Sequence, residues 1–222
     1  MLNLIIKDIA IQKKTLLYAL LYSIFAPIAF FSKGPSGFGL YVLSPVVTAY
    51  MLINFAVSYD EKNKSEIVLN SLPLKREDIV LSKYISVFVF AFIGIIYSIL
   101  VGFIGKATGL PMFAASISLL NIILVLTSVC IFTSIFFPVY FKFGYIKMNI
   151  FNVILFMSFL FVPTATIEYA ASNPNNVLVQ KINYFINNTS SFTQNSLAII
   201  ICLIIFLISL MISIRIYKNK EF

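Results

Sequence analysis

The sequence contains no histidine, no tryptophan, only two cysteines, and just 8 acidic residues among 222. Without histidine it lacks the commonest metal ligand and the side chain that usually handles protons near neutral pH. Cys130 and Cys202 cannot build a metal site or a disulfide framework by themselves, and each lies in an apolar run where a free thiol behaves as a small hydrophobe. Charge is scarce, at 11% of residues against about 25% in soluble domains. The apolar runs carry almost no ionisable side chain, the nearest approach being Glu168 at the outer end of the fifth. Buried carboxylates, lysines and arginines usually mark proton relays and ion pathways. Their scarcity argues against an ion-coupled carrier, and the missing nucleophile–base pairs argue against an intramembrane hydrolase.

What the chain does have is apolar mass: 60% hydrophobic residues, 23 Phe, and a mean hydropathy of +0.99. A soluble fold of this size has no core large enough to hide that much apolar surface, so the composition defines an integral membrane protein. The net charge of +8 comes from 16 basic and 8 acidic residues that sit at the edges of apolar runs. That distribution reads as membrane topology, and the absence of a contiguous basic domain excludes nucleic acid as a partner.

Six runs are long enough to span a bilayer, near 15–32, 39–58, 84–105, 113–138, 148–168 and 195–215. Six spans put both termini on one side. Thirteen of the 16 basic residues fall on that side, leaving only Lys33, Lys106 and Lys181 opposite, so both termini are expected in the cytoplasm. The expected fold is therefore an all-α integral membrane domain over 1–222, with six transmembrane helices. Residues 1–14 carry Leu2, Ile5, Ile6 and Ile9 at helical spacing opposite Lys7, Lys13 and Lys14, the pattern of an amphipathic helix in the interface. The basic pair comes after the apolar pattern instead of preceding it, which disfavours a cleaved leader. Outside, 33–38 and 106–112 read as Gly/Pro turns, while 169–194 is a longer polar loop in which Val177 to Ile186 has amphipathic spacing. The Ile/Lys/Asn/Phe bias suits an AT-rich bacterial genome and hence a bacterial plasma membrane; the sequons at Asn187 and Asn188 would be inert there.

Gly102-Phe-Ile-Gly105-Lys106-Ala107-Thr108 superficially resembles a phosphate-binding loop. The pattern requires four residues between the glycines and Ser or Thr directly after the Lys, whereas here there are two residues, and Ala107 stands after the Lys. The chain thus lacks its own nucleotide-binding motif, is not an enzyme by itself, and binds no cofactor or metal. Pro27, Pro45, Pro138 and Pro163 in or at the ends of spans remove backbone donors, giving either mobile or static kinks. Asn54, Asn121, Thr127, Ser128, Thr133, Ser134, Asn149 and Asn152 are the polar residues available either to a pathway or to interhelical bonds.

The most informative stretch is 59–83, between the second and third spans. Counted through Tyr84, it holds five basic and five acidic residues. Residues 61–72 have helix-forming composition ending in Ile67, Val68, Leu69 and Leu72. Pro73 ends the run, and a second helix begins near Lys75, with Glu77 and Asp78 in its first turn where the helix dipole favours them. An apolar edge flanked by charges of both signs is either a docking surface for a soluble partner or a solvated hairpin joining two spans.

Asp60-Glu61, Asn70-Ser71-Leu72-Pro73, Arg76, Ile79-Val80 and Lys83-Tyr84 resemble the first cytoplasmic loop of small permease subunits of type-2 ABC transporters. The layout of interfacial helix, six spans, internal termini and long last external loop is similar too. The resemblance implies that 60–72 is a coupling helix seated in a groove of a separate ATPase. By position it assigns the contact to Asp60, Glu61, Lys64, Glu66, Leu69 and Leu72, with Pro73, Lys75 and Arg76 shaping the exit. Lys75 stands where many members have Ser or Thr.

The resemblance further implies an ABC ATPase partner that supplies ATP and Mg, and a second permease copy or a sister permease. Within the family the chain is similar to the short permeases that export phenol-soluble modulins, amphipathic peptides of staphylococci. Its uncharged span interiors suit an amphipathic or hydrophobic substrate. The expected function is thus the membrane subunit of an ATP-driven exporter. The alternative is a non-transporting membrane sensor or assembly component whose loop docks a soluble protein.

Overall fold

The computed structural model describes residues 2–30, 37–109, 113 and 115–220, and the described residues form helices and no strand. Among them are nine α-helices in chain order: α1 Leu2–Ala10, α2 Lys13–Phe30, α3 Ser44–Lys62, α4 Ser65–Ser71, α5 Arg76–Lys106, α6 Leu119–Phe143, α7 Tyr145–Ser172, α8 Val177–Asn188 and α9 Ser191–Lys218. A π-helical turn, Gly39–Leu43, leads into α3. Four described segments are long and apolar enough to cross a membrane: Gly39–Lys62, Arg76–Lys106, Leu119–Phe143 and Phe192–Lys218. The first and second expected external connections lie partly outside the described residues, at 33–36 and 110–112.

Local chemistry sets the helix ends. Pro45 sits in the first turn of α3, where its missing N–H is no loss. Ser118 accepts from the Asn121 N–H to cap α6, and Asn176 and Ser190 do the same for α8 and α9. Helix α6 starts at Leu119, six residues after the 113–138 run begins, because Ala115 to Ser118 are not helical and Ser118 serves as the cap. It then runs through Pro138 to Phe143. Gly144, at φ +76°, makes the reversal into α7 in a conformation that a Cβ would strain.

The bundle packs α3 along α5 and α6 along α9. Gly94 lets α3 and α5 meet closely: a Cβ there would lie 2.8 Å from the Pro45 carbonyl oxygen. At the centre is an aromatic stripe on α6. Phe132, Phe136 and Tyr140 recur at four-residue spacing, with Phe137 and Phe141 beside them, all buried. Tyr84 and Phe206 close on this stripe from α5 and α9, and Phe141 meets Tyr217 edge-on at 5.3 Å. In a bilayer the lipid is as apolar as a leucine, so dispersion and geometry of this kind hold helices together more than water exclusion does. Polar side chains add cross-links between helices. The Tyr84 hydroxyl meets Ser209 Oγ at 2.7 Å and Ser213 Oγ at 2.8 Å, and Ser209 donates to the Ser134 carbonyl. Asn152 of α7 donates to Asn54 of α3.

Candidate functional site

The segment between α3 and α5 folds as a helix–elbow–helix, with one correction to the expected run of 61–72. The helix breaks at Asn63 and Lys64: α3 ends at Lys62, Lys64 adopts a left-handed conformation at φ +49°, and α4 starts afresh at Ser65. Leu72 is extended and Pro73 prevents continuation, so α4 is a separate two-turn helix. Lys75 occupies the N-cap of α5 without a side-chain capping bond; instead its carbonyl accepts from the Asp78 N–H at 2.9 Å. Glu77 and Asp78 lie in the first turn, where the helix dipole favours them. Helix α5 has 31 residues, about 46 Å at 1.5 Å per residue, against a hydrocarbon thickness of about 30 Å. Its first two turns, Arg76 to Lys83, therefore extend past the apolar run that begins at Tyr84.

Ile67 and Val68 on α4 and Leu72 at its C-cap are exposed, at 60%, 58% and 47%. Leu69 turns inward, buried against the bundle. Of the apolar residues assigned to the contact from sequence, Leu72 is on the outer face and Leu69 serves to seat the helix. Lys64 and Pro73 are exposed, and Glu61 is half-buried with its carboxylate 3.5 Å from the Tyr145 N–H at the start of α7.

Asp60 lies in a different place from the loop surface where the sequence pattern suggested it. It is buried with Asp8 and Lys83, and the half-buried Lys7 joins them in a four-charge cluster linking α1, the end of α3 and the start of α5. Lys7 Nζ is 2.7 Å from Asp60 Oδ1 and 3.3 Å from Asp8 Oδ1. Lys83 Nζ donates to both Asp8 oxygens, at 2.9 and 2.8 Å, and also pairs with Asp60. Ser86 adds a longer contact to Asp8 at 3.4 Å. Two cations and two anions make the cluster neutral, and each charge has more than one partner, the condition under which buried ion pairs persist. This also revises α1: Asp8 belongs to its buried face with Ile5, Ile6 is exposed, and Lys7 reaches inward. The sequence signal for the cluster was available, since Asp8 is the sole acid before Asp60 and a lone carboxylate in an apolar, basic segment needs a cationic partner.

A second arrangement was not anticipated at all. The end of α9 and the residues after it brace α4 and α5. Lys220 pairs with Glu66 at 2.8 Å, the Tyr217 hydroxyl accepts from Asn70 at 3.1 Å, and Lys218 pairs with Glu77. Arg76 donates to the carbonyls of Lys218 at 2.7 Å and Lys220 at 3.0 Å. Glu66, expected in the contact, and Arg76, expected to shape its exit, thus bind the chain's own C-terminal segment. The helix–elbow–helix is therefore tied on three sides: to α3 and α5 by covalent continuity and the neutral cluster, to α9 by the brace, and to α7 through Glu61.

Among the described residues no group of acidic and cysteine side chains is arranged to hold a metal, and Cys130 and Cys202 are free and buried. A bundle of long apolar helices with a short helix, α4, held at one end on a braced elbow defines a helical membrane protein. The family model for the ABC-2 family transporter protein matches residues 3–218, and the chain belongs to that family. It is a membrane protein and a permease component of an ABC transporter, and membership implies an ABC ATPase as partner. No curated protein and no solved structure is significantly similar to it.

Proposed function

We propose that this chain is the transmembrane permease of an ATP-driven exporter, with α4 as the element that couples it to a separate ATPase. The observation that carries the reading is the exposed apolar side chains Ile67 and Val68 on α4 and Leu72 directly after it, on a segment otherwise fixed to the bundle, in a chain of this family. Exposed apolar side chains beside charges have the makeup of an interface core with a polar rim.

In this reading α2 and α7 join the four apolar segments to make six spans, with both termini and α4 in the cytoplasm of a bacterial cell. ATP and Mg bind the partner, whose closure moves α4. The elbow passes that movement to α3 through Asn63–Lys64 and to α5 through Pro73–Lys75. Two permease copies, or this chain with a sister permease, enclose one pathway. The cargo is amphipathic or hydrophobic, with peptides such as phenol-soluble modulins the best fit, since the spans carry little fixed charge to bind an ion.

The test is mild-detergent purification of the tagged chain, with mass spectrometry and an ATPase assay on what accompanies it. An ABC ATPase is expected to co-purify and to be lost in Val68→Asp and Leu72→Asp variants that still insert. A clean chain with no ATPase, or full partner retention in both variants, overturns the proposal and favours the sensor or assembly role.

A further inference from the structure

The loop that carries α4 is balanced in sequence, but its surface is not balanced in the fold. Its acids are engaged internally: Asp60 in the buried cluster, Glu66 with Lys220, Glu77 with Lys218, and Glu61 half-buried against the start of α7. Asp78 is half-buried in the first turn of α5. On the basic side, Lys83 is buried and Arg76 is turned to the C-terminal carbonyls. Lys62, Lys64 and Lys75 are exposed and form no ion pair among the described residues. They flank α4 in the chain on both sides, so the apolar edge Ile67, Val68 and Leu72 has lysines at both ends.

Resting on the function proposed above, we infer that the partner's receptor for α4 is an apolar groove with an acidic rim. Lys62 and Lys64 meet carboxylates at one end of the groove, and Lys75 meets them at the other. The apolar edge supplies the desolvated core of the contact. The lysines supply orientation and rate, because rim charges act mainly on steering and register. The C-terminal brace strengthens this basic rim, since Lys218 and Lys220 pair with Glu77 and Glu66, two of the acids that would otherwise offset it.

The experiment measures binding of the co-purifying ABC ATPase to the full-length chain in nanodiscs, between 50 and 500 mM salt, in neutral phosphatidylcholine and again with phosphatidylglycerol added. Wild type is expected to lose affinity steeply as salt rises. The triple variant Lys62→Glu, Lys64→Glu, Lys75→Glu is expected to bind roughly tenfold more weakly at 50 mM salt, with little further salt dependence. Val68→Asp is expected to bind weakly at every salt concentration. Unchanged thermal unfolding of the triple variant shows that its fold is intact.

Salt-independent wild-type binding together with wild-type affinity in the triple variant overturns the acidic rim while leaving the ATPase partner in place. An effect of the triple variant seen only with phosphatidylglycerol also overturns it, because the lysines then face lipid. Failure of the wild-type chain to retain any ATPase is a different result, and it strikes the proposed function itself.

Discussion

Removing one charge from the Lys7–Asp8–Asp60–Lys83 cluster should be far more damaging than removing a neutral pair. In Lys83→Met, Asp8 and Asp60, 2% and 3% exposed, keep only Lys7, and the cluster changes from neutral to one net negative charge. Leaving a buried carboxylate without its partner costs about 3–5 kcal/mol. Asp8→Leu makes the opposite imbalance, with Lys83 sharing Asp60 with Lys7, and is expected to cost a similar amount. The double variant Lys83→Met/Asp8→Leu leaves the Lys7–Asp60 pair at 2.7 Å, restores neutrality, and replaces two costly buried charges by apolar groups. It should fall within about 1–2 kcal/mol of wild type, so the coupling between the two sites is at least about 4 kcal/mol. Unfolding of the purified chain in mixed detergent with increasing dodecyl sulfate, monitored by far-ultraviolet circular dichroism, measures all four proteins on one scale. Strictly additive losses, or single-variant losses under about 1 kcal/mol, would refute the claim that these four groups act as one neutral unit.

The brace and the helix packing each carry a prediction of their own. The Glu66–Lys220 pair is partly solvated, with about a quarter of each side chain exposed, so Glu66→Lys and Lys220→Glu should each cost no more than about 1 kcal/mol in stability. Each is expected to lower the transport obtained per ATP hydrolysed, and the exchanged pair Glu66→Lys/Lys220→Glu to restore it; no rescue in reconstituted vesicles counts against the brace as a working link. At the α3–α5 contact, Gly94→Leu places carbon where the Pro45 carbonyl oxygen would be 2.8 Å from the first added atom. Overpacking of this kind costs about 1–3 kcal/mol, and a thermal unfolding midpoint equal to wild type would show that the helices yield there without loss.

Much of the architecture was legible because it depends on one segment at a time. Hydropathy over about 20 residues marks a span; the run at 39–58 became the π-helical turn and α3, and those at 84–105 and 195–215 fell within the longer α5 and α9. Pro73 set the elbow, and the Ser and Asn caps set starts that hydropathy misplaced, as at Leu119. The break before α5 was readable from proline alone. The inward turn of Leu69 was not: with the helix broken at Lys64, the phase of α4 depends on how the elbow seats on the bundle.

By itself the sequence determined a helical membrane chain with a short helix between its second and third apolar runs. Those are properties of residue type and short-range order. Which charges face out was decided only by tertiary structure. Asp60 is cancelled by Lys7, 53 residues away, Lys83 by Asp8 across 75, and Glu66 by Lys220 across 154. Such pairs depend on the approach of helices whose order in space no local pattern encodes. That approach converts a loop with equal numbers of acids and bases into an apolar edge with basic ends.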